Sequence, residues 1–364
     1  MADEKIKKVL FFTNSDIGLH RFRLEILEKL LTLGHEVIVV SPQGMNIGSF
    51  VELGCKHVPI QINLRGTNPF KELKLLKDFK KILKEEKPNI VFTYTIKPNV
   101  YGGIACRKMK IPYVANVTGL GDAVENGGLL QKITLFLYRK GLKGAQKVFF
   151  QNEQNMTFFE KKKVVKKNYD LLPGSGVNLK KFNYLAYPKT EQVRFLYIGR
   201  IIKDKGVNEL SLAIKEITKR YSNVYFDIVG DTYEGSENPF LDIEKCVCHG
   251  HQADVKSYIE NCSAVILPTY HEGMANVLLE SSACGRPVLA SNIPGCKETF
   301  DEGISGFGFE PKSADAICQA IVKFLALTVE QREEMGKKAR EKMEYNFDRN
   351  IVVDKYVSEL KKDN

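Results

Sequence analysis

The feature that most restricts this chain's fold is a rhythm. Short runs that are apolar at every position, rather than every second one, take turns with longer segments of helical period. "KVLFFTN" (8–14), "HEVIVVSP" (35–42), "HVPIQI" (57–62), "NIVFTY" (89–94), "YVANVT" (113–118) and "KVFFQN" (147–152) are strands by this reading, and "HRFRLEILEKLLTLG" (20–34) and "PFKELKLLKDFKKILKEEKP" (69–88) are helices between them. A strand apolar on both faces is covered on both faces, which requires a parallel sheet with helical crossovers.

The rhythm lapses around 178–192, a polar stretch with a proline, and then resumes with "RFLYIGR", "VYFDIVG", "KCVCHG", "AVILPT" and "RPVLAS". A chain of 364 residues exceeds one ordinary core, so two doubly wound α/β units are expected. The first covers 1–185, with a C-terminal helix over 346–364 packing back on it, and the second covers 190–345. Sheets of this kind bind ligands at the carboxyl ends of their strands, so two in tandem would face each other across a ligand cleft.

"HEGMANVLLE" (271–280) places Glu272 and Glu280 eight positions apart around a glycine, after an apolar strand. Eight helical residues rise about 12 Å, too far for the carboxyl pair of a glycoside hydrolase. Carboxylates so separated could hold hydroxyls at the two ends of one elongated ligand. The amides of Gly273, Met274, Ala275 and Asn276 at a helix start would then hold an anion between them. A nucleotide diphosphate sugar has that layout. The same residues also read as a helix cap and a solvated carboxylate.

"YIGRIIKDKGV" (197–207) ends a strand at Gly199 and offers Arg200 and Lys205 before the next helix, a forked donor and a mobile point charge suited to a diphosphate. No Asp-x-Asp occurs in the chain. No metal or other cofactor is therefore expected, the fixed cations standing in for an ion. Cys246, Cys248, His249 and His251 crowd into one strand and turn without a second ligand pair, a weak case for zinc. The eight cysteines contain no Cys-x-x-Cys and read as reduced, buried thiols.

"GRIIKDKG", "GHQADV", "LPTYHEGMANVLLESSACGRPVLAS" and "GSGVNLKKF" together resemble the retaining GT-B glycosyltransferases of family 4 over nearly the whole chain. "YTIKPNVYGG" (94–103) and "NVTGLGDAVENGG" (116–128) are similar to the bacterial enzymes of capsule, O-antigen and N-glycan precursor assembly. The resemblance implies that Glu272 meets donor-sugar hydroxyls, Glu280 the ribose, and Arg200 and Lys205 the diphosphate. It also implies that the backbone of Gly250, His251 and Gln252 meets a uracil base, and that attack comes from the front side of the sugar with the leaving oxygen as base. Many members carry a histidine after the fifth strand; here Val117 and Thr118 stand instead.

His271 could touch the donor or pack behind Glu272. His20, Arg21 and Arg23 follow the first strand, and the loops 95–99 and 118–122 bring Lys97, Asn99, Thr118 and Gly119, the candidates for the acceptor side. His35 and His57 lie at or in strands and read as structural.

Residues 1–180 carry 30 Lys and Arg against 16 Asp and Glu, whereas the remainder carries 24 against 28. The basic half concentrates its charge in 71–87, 131–147 and 160–168, beside leucine and phenylalanine, the display of a surface resting on anionic lipid or of an ordinary lysine-rich solvated face. Nucleic acid is the other partner of a basic half, but no recognition module or stacking array is present. No stretch reaches the length of a membrane span, and no leader cleavage site is evident.

The expected enzyme is thus a retaining transferase moving a sugar, an N-acetylhexosamine or relative, from a UDP-sugar to a polyprenyl-diphosphate-linked saccharide. It would work in the cytoplasm, peripherally on the inner face of the plasma membrane. An epimerase or hydrolase of the same fold and a non-catalytic membrane-associated protein are the alternatives. A nicotinamide-dependent dehydrogenase is disfavoured because "GSGVNL" and "GLGDAV" lack the third glycine of the dinucleotide fingerprint.

Overall fold

The computed structural model of the chain describes residues 5–63, 68–121, 124, 127–232 and 237–362. It divides into two compact units, one of residues 1–175 and 350–364 and one of residues 176–349.

In chain order, the first unit contains β1 (Lys8–Phe12), α1 (Asp16–Thr32), β2 (Glu36–Ser41), α2 (Ile47–Leu53), β3 (Lys56–Pro59), α3 (Pro69–Glu86) and β4 (Ile90–Tyr94). A π-helical turn (Pro98–Gly102) leads into α4 (Gly103–Met109), followed by β5 (Tyr113–Val117), α5 (Gly128–Leu142), β6 (Lys147–Phe150), α6 (Glu153–Lys161) and β7 (Tyr169–Leu171).

The seven strands are parallel, in the order β3-β2-β1-β4-β5-β6-β7. Alternate residues of each strand enter opposite cores. Leu10, Phe12, Val91, Ala115 and Phe150 pack under α3, α4, α5 and α6, while Val9, Phe11, Phe92, Val114 and Phe149 pack under α1 and α2. That is why these strands carry no polar alternation.

The second unit contains β8 (Val193–Ile198), α7 (Val207–Arg220), β9 (Val224–Val229), β10 (Cys246–Cys248), α8 (Lys256–Asn261), β11 (Ala264–Leu267), α9 (Asn276–Ala283), β12 (Val288–Ser291), β13 (Gly306–Phe309), α10 (Ala314–Leu325) and α11 (Val329–Asn346). Its parallel sheet runs β10-β9-β8-β11-β12-β13 around a single core. Thr328 and Gln331 close a capping box that starts α11 where the chain leaves α10.

The final helix, α12 (Arg349–Leu360), lays Val352, Val353, Tyr356, Val357 and Leu360 into the α1 side of the first core. Tyr356 stacks on Phe92 at 5.0 Å and donates its hydroxyl to Asn116.

The boundary after Ser175 falls earlier than residue 185, where the sequence reading put it. The stretch 178–192 has a linker's composition, but Val177 and Phe182 are buried in the second core, and Val177 N donates to Phe347 O at 2.7 Å. A few apolar anchors in a polar segment decide which body it joins.

Candidate active site

Both sheets build outward in opposite directions from a central strand pair, β1/β4 in the first unit and β8/β11 in the second. At such a switch point the loops leaving the two strands diverge to opposite faces, and the space above their carboxyl ends stays open to a ligand. In the second unit the loop after β8 carries Arg200 and Lys205, and the loop after β11 carries His271 and Glu272.

These two loops are tied together. Tyr270 N donates to Asp204 O at 2.9 Å, and Thr269 Oγ1 donates to the same oxygen at 3.4 Å. Gly206 lies in the left-handed region at φ +67, where an added Cβ would stand 2.0 Å from Pro268 O. The consequence is a direct ion pair between Lys205 Nζ and Glu272 Oε1, with the two side chains only 18% and 17% exposed. Tyr270 donates its hydroxyl to Glu209 at 2.8 Å and carries Lys312 over its ring, fixing the outer wall of the loop. Burial, then the Glu209 carboxylate, pushes the Tyr270 phenol well up.

Beside this pair three glycines line the strand ends. Gly199 N donates to Val229 O, Gly230 N donates to Gly250 O, and a Cβ on Gly230 would sit 1.9 Å from Gly199 O. The strip is bare backbone, open to close approach by a flat or anionic group. Arg200, at its edge, is exposed, and its carbonyl accepts the Tyr197 hydroxyl at 2.8 Å. His251 is exposed with its amide on Asp231 Oδ1 at 2.9 Å, and Gln252 Nε2 donates to His249 O at 2.7 Å. His249 meets Asp227 Oδ1 at 2.7 Å, so its ring is committed to a carboxylate that Arg194 also holds. Cys246, beside it, packs against the core, and burial pushes its thiol up to about 12.

The stretch 271–280 departs from the sequence reading in three respects. α9 begins only at Asn276, so half of the interval between Glu272 and Glu280 is loop and helical rise does not set their separation. The Ala275 amide is spent on Gly295 O at 2.8 Å, and Met274 is a core side chain, which moves any anion contact away from Ala275. Glu280 is buried, on the part of α9 that packs into the core. Gly273 and His271 remain on the loop itself, where the Thr269 hydroxyl, besides its bond to Asp204, lies 3.2 Å from His271 O.

The sequence reading passed over Gly230 and Asp231, although "IVGD" repeats the strand-then-glycine form of "YIGR". It also passed over Gly295 (φ +84), whose added Cβ would meet Glu272 O at 2.7 Å, and Glu298, which accepts from Gly295 N at 2.7 Å. No local pattern marks those last two, because their role is a contact across the sheet.

In the first unit the candidates separate. Asn99 is fully buried: it accepts from the Thr93 hydroxyl at 2.7 Å and donates to Asn116 O at 2.8 Å. It is a core residue, not a substrate contact. Arg23 is buried as well, 5.7 Å over the Tyr94 ring, donating to Phe22 O at 2.7 Å. With its amide turned to satisfy both neighbours, Gln151 accepts from Arg23 Nη2 at 2.9 Å and donates to Thr118 O at 3.0 Å. A guanidinium so enclosed is not an open phosphate contact.

His20 is half-buried against the Phe50 ring at 5.9 Å, and Arg21 is exposed. Lys97 pairs with Glu72. Thr118 and Gly119 are partly exposed, and Asp122 lies outside the described residues. At the β1/β4 switch point Thr95 takes φ +67, unfavourable for a β-branched residue and a mark of a tightly determined loop.

Comparison with known proteins decides the class. Residues 8–152 match the family described as "Glycosyl transferase 4-like" and residues 186–342 match "Glycosyl transferases group 1". The chain is a GT-B glycosyltransferase.

Over 96% of this glycosyltransferase and 97% of the relative, it is 26% identical to the N,N'-diacetylbacillosaminyl-diphospho-undecaprenol alpha-1,3-N-acetylgalactosaminyltransferase of Campylobacter jejuni. It is 27% identical to the capsular polysaccharide biosynthesis glycosyltransferase CapM of Staphylococcus aureus, over 97% and 95% of the two chains. The fold is that of a solved glycosyltransferase from Rickettsia africae (TM-score 0.83, 21% identity, 98% of each chain). It is also that of Anabaena HepE (TM-score 0.77, 17% identity, 97% of this chain and 98% of the other).

Proposed function

We propose that this glycosyltransferase moves a sugar, an N-acetylhexosamine or a close relative, from a UDP-sugar to a hydroxyl of a polyprenyl-diphosphate-linked saccharide, with retention. The observation that carries the donor half of this reading is the Lys205–Glu272 pair at the β8/β11 switch point, flanked by the bare strip of Gly199, Gly230 and Gly250. Anabaena HepE, which shares the fold, has been solved with UDP-glucose, and the Campylobacter relative is named for a lipid-diphosphate acceptor.

In the reaction the bond from the anomeric carbon to the diphosphate breaks, a bond to the acceptor oxygen forms, and the acceptor proton passes to the leaving oxygen. Negative charge gathers on UDP. Lys205 and Arg200 offset it, so the reaction needs no metal ion. With donor present, the diphosphate competes for the Lys205 ammonium, and Glu272 is released to accept from sugar hydroxyls. His271 and Gly273 border the sugar, and Gly250, His251 and Gln252 the base. His20, Arg21, Lys97, Thr118 and Gly119 serve the acceptor side. The enzyme works peripherally at the inner face of the plasma membrane, where such lipids lie; among the described residues no helix is long and apolar enough to cross it.

The test is thermal melting with UDP, GDP and dTDP, then with UDP-sugars, since a ligand at a hundred times its Kd stabilises by about 2.7 kcal/mol. Stabilisation by the uridine series, and transfer to a lipid-linked saccharide that persists in chelator, is the expected outcome. Release of free sugar in the presence of acceptor, without coupling, would make it a hydrolase instead.

A further inference from the structure

The outer face of α5 is unlike a solvated helix surface. Its inner side buries Leu135, Tyr138 and Leu142, yet its outer side leaves Leu129, Leu130, Ile133 and Phe136 between 47% and 73% exposed. Spaced at i, i+1, i+4 and i+7, these four share one stripe over the first two turns. After Gly128, the other exposed positions of the helix are cationic, Lys132, Arg139 and Lys140, and Lys143 caps its end. "GLLQKITLFLYRKGL" contains no acidic residue.

More cations are tied to this helix. Arg139 donates to Lys162 O at 2.9 Å and Lys163 O at 3.1 Å, holding the run Lys161–Lys163 beside it, and Arg107 donates to Lys143 O at 3.0 Å from the other flank. Lys140 lies 5.3 Å over the Phe136 ring, so even the apolar stripe ends under a cation. α3, which like α5 packs on α4, also exposes Phe70 and Leu73, but Asp78, Glu85 and Glu86 interrupt its charge, and Lys81 pairs with Glu85.

We propose that α5 is the helix by which the enzyme lies in an anionic lipid surface. Leu129, Leu130, Ile133 and Phe136 enter the acyl boundary, and Lys132, Arg139, Lys140, Lys143 and Lys161–Lys163 meet the headgroups. The occupant is a bilayer because the stripe pairs apolar insertion with positive charge that no acidic residue of α5 interrupts, the combination an interfacial helix needs and a water-facing one does not. An acidic protein partner would match the charge and leave the leucines unexplained. The inference rests on the membrane part of the proposed function and names the surface that carries it.

The test is co-sedimentation with vesicles of phosphatidylglycerol mixed with phosphatidylcholine, and with pure phosphatidylcholine. Wild type is expected on the anionic vesicles, with part of the binding surviving high salt. Ile133→Glu/Phe136→Glu, which changes only exposed positions, should melt as wild type and lose binding by at least about tenfold. Lys140→Glu/Lys143→Glu should lose the salt-sensitive part.

Activity gives a second readout. With a water-soluble short-chain acceptor the variants should keep the wild-type rate; with acceptor embedded in vesicles they should fall. Unchanged vesicle binding by the Ile133/Phe136 variant overturns the proposal. So does a change in its oligomeric state with vesicle binding intact, which would make the stripe a protein interface. If no lipid-linked acceptor is used at all, the acceptor reading fails while sedimentation still decides the role of α5.

Discussion

Gly206→Ala isolates the contact that brings the proposed donor residues together. At φ +67 an alanine costs about 1–2 kcal/mol from backbone strain alone. Its Cβ would also stand 2.0 Å from Pro268 O and 2.8 Å from Pro268 C, both backbone atoms with no flexible end to swing aside. The loop after β11 must therefore retreat by about 1 Å, a displacement that can cost about a hundredfold in rate. The move stretches the bonds from Tyr270 N and Thr269 Oγ1 to Asp204 O, each worth about 1 kcal/mol.

The sum is about 3 kcal/mol, or about 6–12 °C in melting temperature for a body of this size. Gly303→Ala is the control, because Gly303 has φ +72 and nothing within 4 Å of an added Cβ. Strain alone should lower its melting temperature by a few degrees and leave transfer intact. Circular-dichroism melts and UDP release measured on both variants decide the matter: if Gly206→Ala costs no more stability than Gly303→Ala, the close packing of the two loops is wrong, and the Lys205–Glu272 geometry falls with it.

Lys205→Ala should reduce transfer by about 10²–10³-fold and destabilise the protein by about 1–3 kcal/mol, because it leaves Glu272 unpaired where little water reaches it. Adding Glu272→Gln should restore stability but not rate, which a double-mutant cycle in urea and in turnover would measure. Tyr356→Phe removes the donor to the Asn116 side-chain oxygen and should cost about 1–3 kcal/mol, read from the urea midpoint.

Asp16 supplies a pH effect. Burial raises its carboxyl, but hydrogen bonds from the Asn46 amide at 3.0 Å and the Asn46 side chain at 2.9 Å, with those from the backbone of Ile17 and of Asp16 itself, together outweigh burial and hold it below its ordinary 3.8. Its contribution is fully present above the unfolded value and is lost as pH falls through the lower native one. Asp16→Asn should flatten the acid limb of a stability-against-pH curve.

The strands buried on both faces were legible because each apolar run answers to two cores at once: Leu10 and Phe12 to one, Val9 and Phe11 to the other. The edges were not. β7 is three residues of "YDL" and β13 is "GFGF"; aspartate and the glycines offset the strand preference of the aromatics, and both segments pair onto the edges that β6 and β12 offer them. For the site, the loop positions were legible and the fate of individual side chains was not. Arg23, Asn99 and Met274 stand in or beside segments that follow strands, as a ligand contact would, and all three serve the core instead. Sequence spacing cannot separate these outcomes, since the direction of a side chain depends on which helix packs above it.

The Lys205–Glu272 ion pair bears on the choice of ligand. Lys205 is held by Glu272 in an ion pair, and Arg200 stands exposed just past the carboxyl end of the central strand β8. A diphosphate arriving from solvent must break that pair to reach Lys205. In the proposed donor site the pair would act as a discriminator: an anion too short to engage Lys205 while offering hydroxyls to Glu272 gains one cation and strands one carboxylate. UDP-sugar should then bind more tightly than UDP in wild type, and Glu272→Gln should narrow the gap by strengthening UDP binding relative to the sugar nucleotide. Equal ratios of the two dissociation constants in wild type and Glu272→Gln, measured by calorimetry, would show that Glu272 does not exchange one partner for the other.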